Sequence, residues 1–262
     1  MSKPVWLTAS LLAVALPAVA ANKTIASLDL QAAFHTRAPW SFTATQGPDV
    51  PDETSGSPGD TIPGIITPCL SRDHGKTCDP ILTQALRPDM PDDQFYADPH
   101  FLDQATVEHL PGGRAILLIK ARSVYSVDSD QVVVLRAFTY DRAHDRFTLA
   151  YRHSTGHNNN QDVRFMTSGP LSGAIIAAEP TEGAPFGFWM TVDTLSATSV
   201  YKQRLKYRSA TGYGDGNPLG VIDSEMPNML QHLGKWKPGQ ALPLPSKPCT
   251  RPHLVHMELW CE

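Results

Sequence analysis

Three groups of residues carry the chemistry this sequence could perform. Asp223 and Glu225, with Asp215 as a third member, make a set of closely spaced carboxylates. Such pairs serve as acid and as base or nucleophile in glycoside hydrolysis, provided that burial raises the pKa of one of them. The second group is two polar loops, one holding Asn158, Asn159, Asn160 and Asp162, the other Asp215 and Asn217. Their amides and carboxylates suit sugar hydroxyls, a peptide or a hard cation. Asn, Asp and Gly are also what tight turns require, because they tolerate positive φ. The third group is the cysteines Cys69, Cys78, Cys249 and Cys261.

Other clusters have simpler explanations. Asp128-Ser129-Asp130 starts like a calcium loop, but no glycine holds the sixth position and no distal glutamate is in register, so it reads as an exposed hairpin turn. His253 and His256 match no zinc spacing, and no H-E-x-x-H occurs. His153 and His157 flank the first polar loop without counterparts at the second, while Asp141, His144 and Asp145 read as a solvated turn. Phe186, Phe188 and Trp189 read as core or edge packing, with some exposure allowed by the Ala184-Pro185-Phe186-Gly187 turn. The glycines around Gly212-Tyr213-Gly214 lack the lysine of a phosphate loop and the register of a dinucleotide fingerprint, and there is no G-x-S-x-G elbow. Neither a cofactor nor a metal is expected, and binding is favoured over catalysis.

The compartment follows from the first residues. Lys3, an apolar run over 5–16 and the small residues Ala18 and Ala20 around Val19 form a secretory signal peptide spanning 1–20. The run is too short to span a bilayer, Pro17 interrupts it, and no cysteine lies nearby to carry a lipid. The expectation is a periplasmic or secreted protein with no membrane span after cleavage. In an oxidising compartment the even number of cysteines predicts disulfides. Spacing favours two local loops, Cys69 with Cys78 and Cys249 with Cys261, over the two other connectivities. Each short closure contributes roughly 2–3 kcal/mol on the loop-entropy model.

The elements that must position these groups are mainly strands. With 262 residues, 41% hydrophobic and 18% charged, the chain has the composition of a globular protein, and a net charge of −4 gives no reason to expect a nucleic-acid partner. Ile25, Leu28 and Ala32 recur at helical spacing within 24–34. Prolines from Pro39 to Pro99 then exclude a central sheet or long helix, so this stretch reads as an extended arm wrapped on the main domain, with a flexible linker between Gly47 and Gly59.

From about residue 106 the texture changes. Residues 115–121, 131–139, 146–152, 162–167, 173–178, 187–192 and 199–208 are β-branched or aromatic runs divided by turn residues, the pattern of an antiparallel meander. Within one of them Phe147, Leu149 and Tyr151 are expected to share a face. Tyr151-Arg152-His153-Ser154-Thr155-Gly156-His157 is echoed by Tyr207-Arg208-Ser209-Ala210-Thr211-Gly212-Tyr213, and Phe138–Asp141 by residues 190–193, as related β units are. A helix capped by Ser224 and stopped by Gly234 follows, then a proline-rich tail fastened by Trp260 and the Cys249–Cys261 staple.

The fold class is therefore mainly β: an antiparallel meander, either a sandwich or a partial propeller-like repeat, with one or two short helices and proline-rich arms. Its parts are the signal peptide 1–20, a helix and proline-rich arm over 21–105, a β-rich core over 106–234 and a disulfide-bearing tail over 235–262. The function expected is an exported protein that binds an envelope macromolecule or glycan through the Asn158 and Asp215 loops. The alternatives are a glycan or peptidoglycan hydrolase using Asp215, Asp223 or Glu225, and an envelope inhibitor or immunity protein.

Overall fold

The computed structural model of the chain describes residues 21–52, 55, 57–86, 98–125, 131–155, 161–210, 217–245 and 248–262. The expected signal peptide lies outside that set, as do Asp128, Ser129, Asp130, Asn158, Asn159, Asn160 and Asp215.

The proline-rich N-terminal segment is a sheet layer, which corrects its reading as an arm. β1 (Lys23–Asp29) pairs with β2 (Ser41–Gln46) across a one-turn helix, α1 (Gln31–Phe34). The helical spacing around Leu28 gives way to a strand because pairing sets Leu28 opposite Phe42 and Ala26 opposite Ala44. β3 (Val50–Pro51), inside the expected linker, pairs with β4 (Thr61–Ile62) just beyond it, and β5 (Ile66–Ser71) adds to the far side of β2. The prolines fall where missing donors are tolerated. Pro68 lies on an edge strand, and Pro80 opens α2 (Pro80–Leu86). Cys69 and Cys78 are disulfide-bonded, as are Cys249 and Cys261, so the local connectivity is the one formed.

All seven expected strands are present, in two antiparallel meanders. The first joins β6 (Phe101–His109), which runs across residue 105, to β7 (Ala115–Tyr125), β8 (Gln131–Asp141) and β9 (Arg146–Thr155). The second is β10 (Asp162–Phe165), β11 (Ala174–Pro180), β12 (Phe188–Leu195) and β13 (Tyr201–Ser209). Each sheet is open. The echoed sequences occupy matching places, the third and fourth strands of each meander. Their burial does not match: Tyr151 packs between the sheets, whereas Tyr207 packs against the helical side of its own.

The first meander is covered on both faces, which is why β7 is apolar in a continuous run instead of alternating. Leu117, Ile119, Val134, Phe138 and Phe147 pack with Trp40, Phe42, Leu70 and Leu82 of the N-terminal layer. Ile116, Leu118, Leu135 and Tyr151 pack with Val163, Ile175, Ala177 and Tyr201 of the second meander. β9 contributes to both cores through a bulge at Ala150, where Phe138 pairs with Leu149 and Ala137 with Tyr151. Phe147 and Leu149 therefore face the N-terminal layer and Tyr151 the opposite way, because the extra residue shifts the alternation.

Behind the second meander lie α3 (Val221–Ser224) and α4 (Met226–His232), packed through Ile222, Met226, Met229 and Leu230 onto Ile176, Met190 and Val192. Ser224 ends α3 and does not cap α4. Its hydroxyl accepts from Asn217 Nδ2 at 2.9 Å, while Gly234, at φ 67°, turns the chain after α4 as expected. The tail closes in a hairpin, β14 (Pro252–Val255) with β15 (Glu258–Cys261), turned by His256 and Met257 at φ 49° and 70°. No helix of the described residues is long and apolar enough to cross a membrane.

Candidate ligand cleft

Of the carboxylates expected to do hydrolytic work, the two described ones, Asp223 and Glu225, are buried and hydrogen-bonded within the protein. Asp223 is 1% exposed and accepts from Arg164 Nη1 at 3.0 Å, while Arg164 Nη2 also pairs with Asp162 at 2.7 Å. These two carboxylates hold the guanidinium above its ordinary pKa despite the opposing cost of burial. Glu225, also 1% exposed, accepts from the Tyr207 hydroxyl at 2.7 Å, from Asn228 Nδ2 at 3.0 Å and from the Ser209 hydroxyl. Burial first, then the charge of Glu225, pushes the Tyr207 hydroxyl well above its usual range. Neither acid opens to a substrate.

The described members of the polar loops are likewise occupied. Asp162 serves Arg164, and Asn217 donates to Ser224 Oγ and Leu259 O while its own oxygen accepts from the Leu219 amide. His253 and His256 lie in the exposed C-terminal hairpin, and no cluster of metal-ligating side chains exists among the described residues. Asp141 and His144 pair at 2.6 Å in the expected solvated turn, but Asp145 instead accepts from Trp40 Nε1 at 3.2 Å and from the Tyr140 hydroxyl.

A different set of residues converges where the second meander extends beyond the cover of β9. The cleft there encloses about 510 Å³ and is lined by Tyr151, Arg152 and His153 from β9, Glu179 from β11, Thr191 and Asp193 from β12, and Tyr201, Gln203 and Lys206 from β13. Sheet register explains the convergence. Glu179, Trp189 and Arg208 form one cross-strand row, Ala177, Thr191 and Lys206 a second, and Ile175, Asp193 and Gln203 a third. On β12 the residues between them, Met190 and Val192, are fully buried on the helical side. Strand alternation therefore puts Trp189, Thr191 and Asp193 on one open face.

The polar groups of this cleft are poorly spent. The Tyr151 hydroxyl and the side chains of Thr191, Asp193 and Gln203 make no hydrogen bond or ion pair with any described residue. His153 Nε2 is buried 3.1 Å from Glu179 Oε1 but outside hydrogen-bond geometry. That proximity lowers the Glu179 pKa against the effect of burial, with the Lys206 charge assisting. Asp193 moves the other way: burial raises it, and the His153 charge only partly offsets the rise. Burial also lifts the hydroxyls of Tyr151 and Tyr201 far above their usual range, which keeps both protonated; the Tyr201 hydroxyl donates to Gly173 O at 3.1 Å, and the Tyr151 hydroxyl is left to donate into the cleft. Lys206 lies over the Trp189 ring at 5.2 Å, and Trp189 itself is 40% exposed.

Except for His153, weighed only as a loop flank, and Trp189, weighed as packing, these residues escape a reading of the sequence. Their signal is the alternation of Trp189, Thr191 and Asp193 with apolar neighbours. It marks a half-buried strand but cannot reveal which residues of β9, β11 and β13 lie across from it. Comparison of the chain with protein-family models, with curated proteins and with solved structures finds no match.

Proposed function

We propose that the protein is an exported binding protein whose ligand is a glycan held in the cleft between β9 and the open face of β11–β13. One observation carries this reading: donors and acceptors of mixed type, on Tyr151, Thr191, Asp193 and Gln203, share one concave surface without partners of their own among the described residues. Tyr151, Thr191 and Asp193 are partly or wholly desolvated and cost stability when unpaired, so their clustering beside the exposed Gln203 in a cleft of ligand-binding size favours a partner that satisfies them. Hydroxyl groups, which both donate and accept, match that mixture, and the partly exposed Trp189 beside it offers an amphipathic ring. The expected signal peptide supports an encounter outside the cytosol, where envelope glycans lie.

The test is titration of the purified protein with peptidoglycan glycan strands, followed by intrinsic tryptophan fluorescence and calorimetry. Asp193→Asn and Gln203→Ala should each weaken binding by on the order of 10-fold, as loss of one or two hydrogen bonds to the ligand implies. Undiminished binding by both variants removes the cleft from the reading. One observation favours hydrolysis as a second reading: the environments of Glu179 and Asp193 drive their pKa values apart, as acid and base roles require. Release of new reducing ends from the same strands, abolished by Asp193→Asn, distinguishes a hydrolase from a binding protein.

A further inference from the structure

The outer boundary of the cleft is β13, and this edge strand carries a charge pattern that the cleft alone does not explain. Lys202, Arg204, Lys206 and Arg208 occupy every second position and all four are exposed. Among the described residues no strand pairs with the outer side of β13, so its backbone donors and acceptors there also lack a sheet partner. The four cations span six residue steps, about 20 Å of extended chain.

Several basic residues elsewhere are neutralised in ion pairs. Arg122 pairs with Asp103, Arg146 with Asp141, Arg164 with Asp162 and Asp223, and Arg251 with Glu262. None of the four cations on β13 is in an ion pair with a described residue. Lys206 covers Trp189, Arg204 Nε donates to Thr194 Oγ1 at 3.1 Å, and Arg208 Nη2 donates to Gly183 O at 3.0 Å. These contacts fix three of the cations without neutralising any. The bulge opposite Asp193 turns the register, so that Lys206 and Arg208 share the cleft face while Lys202 falls opposite Thr194. Lys206 and Arg208 therefore adjoin the cleft, while Lys202 and Arg204, on the side of Thr194, carry the positive charge around the edge toward the helical face, on a molecule whose net charge is −4.

We propose that β13 is a track for an anionic polysaccharide: its carboxylate or sulfate groups lie along Lys202, Arg204, Lys206 and Arg208 while one sugar enters the cleft. This rests on the cleft reading and names the ligand class it implies. An elongated polyanion is favoured over a small anion because the four charges are spread over about 20 Å of one strand edge, two toward each face, and do not converge on a point. A glycan is favoured over other polyanions because Lys206 itself lines the cleft that holds the hydroxyl-matching groups of Tyr151, Thr191 and Gln203. Basic residues also protect exposed strand edges against edge-to-edge pairing, and that simpler role demands no ligand.

The experiment titrates the full exported protein with polygalacturonate, with neutral dextran, with single-stranded DNA and with vesicles containing anionic phospholipid. The fourfold variant K202Q/R204Q/K206Q/R208Q and the cleft variant Asp193→Asn are run alongside, with thermal unfolding to verify folding. Polygalacturonate should bind with an affinity that falls steeply as salt rises, and more tightly than dextran, DNA or vesicles. The fourfold variant should lose on the order of 80-fold, about threefold per exposed cation. A variant replacing Lys202 and Lys206 by Arg should keep wild-type binding.

Absence of polygalacturonate binding, or equal binding by the fourfold variant, overturns the track and leaves edge protection as the role of these cations. Equal affinity for DNA or vesicles overturns the assignment to glycans. The cleft reading fails separately: if the edge variant loses binding and Asp193→Asn does not, the track stands and the cleft falls, whereas the opposite pattern keeps the cleft and removes the track.

Discussion

Asp193 and Glu179 lie in one cleft and respond to pH in opposite directions. Burial sets the folded pKa of Asp193 above its ordinary value of 3.8, so the folded protein holds a proton that the unfolded chain has already released. Stability from this group therefore falls as pH rises from 3.8 through the folded value, and the loss persists at neutral pH. Asp193→Asn should accordingly raise the Tm at about pH 7 and leave it nearly unchanged near pH 3, the combination expected of a residue kept for binding at the expense of stability. Glu179 has its folded pKa lowered below 4.5, first by His153, so its contribution is complete above 4.5 and is lost as pH falls through the folded value. Glu179→Gln should lower the Tm at neutral pH, and the difference from wild type should vanish in acid. Calorimetric scans of both variants across pH check the pair; parallel shifts would show that the two carboxylates share one environment. Glu225 provides a contrast, because its donors are already supplied by Tyr207, Ser209 and Asn228. Glu225→Ala leaves those donors buried and unpaired and should cost about 3 kcal/mol in urea unfolding, with glycan binding retained by the folded fraction.

Among the elements, the second meander depends on one close backbone approach. A Cβ on Gly187 would lie 1.9 Å from Ser209 O, where the start of β12 meets the end of β13, so no side chain is accommodated without separating the strands. Gly187→Ala should destabilise by about 2–4 kcal/mol and displace Trp189, visible as altered near-ultraviolet circular dichroism. The sequence marks this place only as a glycine after a proline turn, whereas the strands themselves are legible. Each run from 115 to 208 that combined β-branched residues with bounding turns is a strand, because that signal is local. What was illegible depends on contacts between distant segments. Leu28 reads as one face of a helix until Phe42 pairs with it, and the Phe147–Tyr151 alternation reads as one face until the bulge at Ala150 intervenes. The cleft is illegible for the same reason: His153, Glu179, Asp193 and Gln203 belong to four strands and become neighbours through register alone. Asp223 and Glu225 misled in the complementary way, since close spacing is visible in sequence and burial by Arg164 and Tyr207 is not.

At the scale of the whole molecule, the first meander is the middle layer, and its two faces belong to different cores. Leu117 and Leu118 are adjacent on β7 and fully buried on opposite sides, one toward the N-terminal layer and one toward the second meander. Arg136, also fully buried, donates to Ala85 O at the end of α2 and to His153 O beneath the cleft, so a single side chain ties the N-terminal layer to the strand that bears the candidate site. Layers coupled this way cannot melt separately without exposing one face of β7 and stranding a buried cation. The full protein should therefore unfold in one transition, with fluorescence and far-ultraviolet circular dichroism coincident. Removal of residues before 99 uncovers Leu117, Ile119, Val134, Phe138 and Phe147 together, a continuous apolar face on the order of several hundred Å². Such a truncated chain should aggregate or fail to fold even though both meanders are intact in sequence. A monodisperse truncated monomer that retains native near-ultraviolet circular dichroism and glycan binding would show instead that the first residues wrap a finished domain, and that the cleft does not depend on the layer beneath it.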